Sequence, residues 1–88
     1  MTPNVDEAAL LRRITSNPDI FGGKPIIRNR RMAVEHVLGM LVAGDTFETL
    51  LEDYPWLERD DIRACLAYAR RSIDHVPIES SATTVSGG

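Results

Sequence analysis

Eighty-eight residues, 43% of them hydrophobic and 26% charged, fit one small domain with tails and leave no room for a second. The single Cys65 excludes an internal disulfide and suits a reducing compartment. No apolar run nears the roughly 18 residues of a membrane span and no leader pattern opens the chain, so the sequence predicts a cytoplasmic protein.

The net charge of −3 conceals a partition: residues 12–31 carry +5 and residues 32–63 carry −6. A basic arm thus precedes an acidic body, which implies either a nucleic-acid contact by the arm or packing of the arm on a body. In a domain this small a partner subunit is a common remedy for marginal stability, and a homodimer is expected.

In chain order, residues 1–11 form a flexible segment or short helix, with Val5 to Arg13 as the helical stretch. Residues 12–76 are the single domain and residues 77–88, nearly all small and polar, a disordered tail. Within the domain, residues 12–31 read as a β arm. Arg13-Ile14-Thr15 has strand character, Ser16-Asn17-Pro18-Asp19 is a turn, and Gly22-Gly23 permits a tight positive-φ turn before the strand Pro25-Ile26-Ile27-Arg28. Asn29 suits a left-handed position. The arm's short strands have no third strand in the same chain, a further reason to expect pairing across a two-fold axis.

Three helices follow, near Val34–Ala43, Thr46–Asp53 and Asp60–His75. Gly44 stops the first, and Gly39 inside it marks either a close backbone approach or ordinary slack. Asp45 and Glu48 read as a capping box for the second helix, and Pro55 ends it near Asp53. On the third, at about 100° per residue, Ile62, Cys65, Leu66, Ala69, Ile73 and Val76 form the core face, with Arg59, Arg63 and Arg70 beside it. The second and third helices, joined by Tyr54-Pro55-Trp56-Leu57, have a helix-turn-helix outline. The expected fold is mainly α: a three-helix, homeodomain-like helix-turn-helix domain behind a short N-terminal β arm.

Little in the chain suits chemistry. His36 and His75 lack metal-ligand spacing, and Gly22-Gly23-Lys24 is followed by Pro and an extended segment rather than the helix a phosphate loop needs. Glu48, Glu52, Asp60 and Asp61 read as solvated helix surface and helix-start charges. No cofactor and no enzymatic activity are expected.

The run Arg13-Ile14-Thr15-Ser16-Asn17-Pro18-Asp19-Ile20-Phe21-Gly22-Gly23-Lys24-Pro25-Ile26-Ile27-Arg28, with Val34-Glu35-His36-Val37-Leu38 and the Tyr54-Pro55 to Asp60-Asp61-Ile62 segment, resembles domain-of-unknown-function family 433 over roughly Arg12 to Ala69. Asn29 stands where that family usually has Gly, and Glu58-Arg59 where it often has Thr or Pro. The resemblance implies a VapB-type antitoxin that binds a PIN-like ribonuclease toxin and represses its own operon through the helix-turn-helix. Arg63 and Arg70 are the leading DNA-contact candidates, then Arg59, then Arg28, Arg30 and Arg31. Ile73, Val76, Pro77 and Ile78 are the candidate partner-binding residues. The alternative is an oligomeric interaction module that never touches DNA.

Overall fold

A computed structural model describes residues 6–74. Its order is α1 (Glu7–Leu11), β1 (Ile14–Thr15), a single turn at Phe21–Gly23, β2 (Ile26–Ile27), α2 (Val34–Val42), α3 (Phe47–Asp53) and α4 (Arg59–Ser72). The molecule is a small helical domain with a short β arm, as the sequence predicts. The strands β1 and β2 pair antiparallel, Ile14 opposite Ile27 and Thr15 opposite Ile26. An isolated bridge from Ile26 to Ala33 partly covers the other edge of β2.

Turn chemistry explains the arm. Ile27 to Arg30 is a tight turn closed by the Arg30 N–H on the Ile27 carbonyl at 2.8 Å, with Arg28 (φ 46°) and Asn29 (φ 58°) both left-handed. That is type I′ geometry, in which Asn is a favoured residue and Arg is not. The Asn29 N–H donates to Thr15 Oγ1 at 2.8 Å, tying the turn to β1.

The helices are placed by their breakers. Gly44 ends α2 at φ 108°. The cap of α3 is Thr46, whose side chain accepts from the Thr49 N–H at 3.1 Å. This corrects the expected Asp45 cap: Asp45 lies one residue too early, and its own N–H is spent on the Met40 carbonyl at 3.0 Å. A capping box does exist, one helix later, where Glu58 and Asp61 satisfy each other's backbone N–H at the start of α4. Gly39 is exposed and a Cβ there would meet nothing within 4 Å, so it marks slack and not a close approach.

Ile27, Met32, Val34, Val37, Leu50, Leu57, Ile62 and Cys65 form the core. The buried face of α4 holds Asp61, Ile62, Ala64, Cys65 and Ala67, while Leu66 (43% exposed) and Ile73 (67% exposed) face out. The expected arc of Ile62, Cys65, Leu66, Ala69 and Ile73 is therefore turned toward Asp61 and Ala64. Small residues there admit the close packing of α1 and the arm, and a buried ion pair takes the place of a bulky apolar contact. Val76, the last member of that arc, lies outside the described residues, as do His75 and residues 77–88.

Candidate functional site

Two arrangements of charged side chains lie on α4, one buried and one exposed. The buried one centres on Asp61, whose side chain is fully buried and whose two oxygens accept four hydrogen bonds. Arg13 Nη1 (3.0 Å) and Arg28 Nε (3.0 Å) donate to Oδ1; Arg28 Nη2 (2.7 Å) and the Glu58 N–H (2.8 Å) donate to Oδ2. Burial alone would raise the carboxyl's pKa, but hydrogen bonds from Arg28, the Glu58 backbone and Arg13 outweigh it and hold the group below its usual range. Both arginines are raised in turn, Arg13 by Glu58 and then Asp61, Arg28 by Asp61. The arm is thus bolted to the acidic body of its own chain. This corrects the expectation that Asp61 is a solvated helix-start charge; the signal that could have found the joint is the Glu58/Asp61 spacing of three beside a basic arm.

Trp56 completes the joint. Arg28 Nη2 donates to its carbonyl at 3.1 Å, and the guanidinium of Arg30 lies 4.6 Å from its ring centroid. Cation–π attraction of this kind holds Arg30 over the indole. Of the three arm cations named as DNA candidates, Arg28 is committed to Asp61 and Arg30 is stacked. Arg31 is exposed and makes no ion pair among the described residues.

The exposed arrangement is the outer face of α4. On a wheel of about 100° per residue, Arg59, Arg63, Leu66, Arg70 and Ile73 fall within about 80°, and all five are exposed. Arg59 pairs with Glu48 at 3.2 Å and lies over the Phe47 ring, Arg63 pairs with Asp60 at 3.2 Å, and Arg70 pairs with Glu7 of α1. Glu48 is held below its usual range by its own backbone N–H and then by Arg59. The second oxygen of Glu7 is buried without a hydrogen-bond partner. Exposed pairs of this sort are weak and salt-screened, so these arginines can exchange their carboxylates for a ligand's anionic groups.

The structure therefore brings Arg59, Arg63 and Arg70 together on one face and withdraws Arg28 from solvent-side duty. Of the partner-binding candidates, Ile73 also rims an apolar groove of about 320 Å³ with Pro25, Val34, Leu38 and Tyr68. Val76, Pro77 and Ile78 lie outside the described residues.

Among the described residues no group of three or more His, Cys, Asp or Glu side chains is placed to hold a metal, and no helix is long and apolar enough to cross a membrane. Cys65 is buried, and burial, with the nearby Asp61 charge, pushes its thiol up to about 12.

The chain is similar to "Uncharacterized protein y4eO" from Sinorhizobium fredii, 41% identical over 64 residues that make up 73% of this chain. It spans 29% of that relative's length. It is also similar to the crystal structure of a DUF433 member protein from Anabaena variabilis, with a TM-score of 0.67 and 28% identity, covering 76% of this chain and 66% of that one. The family model described as "Protein of unknown function (DUF433)" matches residues 14–69, a span that runs from β1 through the Asp61 joint to the middle turns of α4, and the chain belongs to that family.

Proposed function

We propose that this chain is a binding protein rather than an enzyme, the antitoxin of a toxin–antitoxin pair, and that the outer face of α4 is the surface it presents. The observation that carries the reading is that Arg59, Arg63, Leu66, Arg70 and Ile73 share one exposed helix face. Arginines interleaved with apolar side chains suit a protein surface that offers apolar pockets and carboxylates. The partner in this reading is a PIN-like ribonuclease, bound by the face together with Ile73 and the segment Val76, Pro77, Ile78.

Operator DNA is the second ligand of the proposal. Arg63 and Arg70 stand about 10 Å apart along the helix, a span that reaches phosphates on either side of a groove. A homodimer would double these contacts and is part of the same reading. One observation favours the rival, an interaction module that leaves DNA alone. The tip of α4, where a recognition helix reads bases, carries Glu58, Asp60 and Asp61, and its neighbour Arg28 is committed to Asp61.

Binding to the region upstream of the gene, measured across salt concentrations, separates the two. The antitoxin reading expects binding, and in the Arg63→Ala, Arg70→Ala variant a salt slope lowered by about one for each phosphate no longer touched. Wild-type protein that leaves this DNA unbound, with and without a nuclease partner, sinks the repressor half of the proposal. Sedimentation as a monomer at both low and high salt would remove the homodimer.

A further inference from the structure

We propose that the groove between the Phe21–Gly23 turn and the start of α2 binds a nucleobase that carries a phosphate, either as a free nucleotide or as one unit of a single strand. The groove encloses about 370 Å³ and is lined by Phe21, Lys24, Arg31, Met32, Glu35 and His36 among others. That volume falls within the roughly 300–1,000 Å³ usual for small-ligand sites. It shares no residue with α4, so it stands apart from the surface proposed above.

Phe21 is the first reason. The residue is 46% exposed and contributes little to the core, yet its backbone sits at φ 49°, a conformation that bulky residues rarely adopt. Gly22 and Gly23 follow at φ 64° and 89°, so three successive left-handed residues set the aromatic at the edge of the groove. The tight turn closed by the Gly23 N–H on the Ile20 carbonyl at 3.0 Å imposes that backbone, but core packing does not explain why a large exposed ring stands there, and strained residues of this kind gather at ligand sites. An exposed aromatic ring offers a stacking platform to any base, because every base has a π-face.

Charge is the second reason. Lys24 and Glu35 pair with each other at 2.9 Å, which leaves Arg31 as the lining cation with no ion pair among the described residues. A platform beside a free guanidinium matches the two ends of a nucleotide: the base stacks and the phosphate meets Arg31. A duplex is the wrong ligand, since its bases already stack on one another. The ligand is therefore an unpaired nucleotide.

The test is fluorescence anisotropy of a labelled octauridylate, with uridine monophosphate as competitor, over a range of salt starting near about 50 mM. The proposal expects wild-type binding, a loss of about fivefold or more in Phe21→Leu, and a salt slope reduced by about 0.7 in Arg31→Ala. The Arg71→Ala variant, at an exposed position outside the groove, should bind as wild type does, and helicity by circular dichroism checks each fold. Competition by the monophosphate assigns the site to free nucleotides, and binding of the octamer alone assigns it to a strand; both support the shared chemistry. Failure of wild-type protein to bind either probe, or unchanged binding by both groove variants, overturns it.

Discussion

Arg28 grips Asp61 twice, Nε on Oδ1 at 3.0 Å and Nη2 on Oδ2 at 2.7 Å, from a turn residue whose backbone is itself left-handed. The fork-to-fork geometry is the strong form of an arginine–carboxylate pair, and it offsets the strain at φ 46°. Through this contact and its Arg13 companion, the basic arm and the acidic body of one chain neutralise each other.

Asp61→Asn should therefore destabilise the domain far more than a surface change would. Removing one member of a buried pair usually costs about 3–5 kcal/mol, and the low end applies because Arg13 and Arg28 keep 29% and 32% side-chain exposure. Urea unfolding followed by Trp56 fluorescence reads it directly, since the arm docks beside that ring. A loss below about 1 kcal/mol would mean the joint is ornamental.

The same carboxylate makes stability depend on pH in a known direction. Its folded pKa lies below the ordinary 3.8, so its stabilisation is present above about pH 4 and is lost as pH falls through the folded value. Thermal melting between neutral and strongly acid pH should show wild-type protein losing stability in that window. The Asp61→Asn variant should lose less there, and equal acid sensitivity in the two would assign the effect to other carboxylates.

Much of this fold is legible in the chain because its punctuation is local. Gly44, Asn29 and Pro55 each act on one or two backbone angles, and the structure places turns and helix ends at all three. The Asp61 joint depends instead on residues 33 and 48 positions apart, which no helix period encodes. Leu66 illustrates the cost: apolar spacing puts it in the core, but a charge buried from the opposite side turns the helix and leaves it exposed. Phe21 is hidden for another reason, since nothing in the sequence distinguishes a bulky residue that the fold will force to positive φ.

Gly39→Ala tests the reading of α2. With open space where the new methyl would go and an exposed helical position, the substitution should stabilise by about 0.5–1 kcal/mol, through helix propensity and a less flexible unfolded chain. A lower unfolding midpoint in urea would show that the glycine has a role the described packing lacks.

Cys65 should be silent in the folded protein. A buried thiol pushed up to about 12 is neither accessible nor ionised near neutrality, so alkylation by iodoacetamide should follow global unfolding and speed up with urea. Rapid labelling under native conditions would contradict the packing of α4 against the core.

The proposal to be tested is that the outer face of α4 silences a nuclease partner, and RNA cleavage by a PIN-like ribonuclease recovered with this chain by pull-down tests it most directly. Wild-type protein at equimolar ratio should suppress cleavage, while a variant combining Leu66→Asp and Arg70→Ala, both at exposed positions, should keep its helicity and lose the suppression. Cleavage that proceeds at the same rate with and without the wild-type chain would contradict the account.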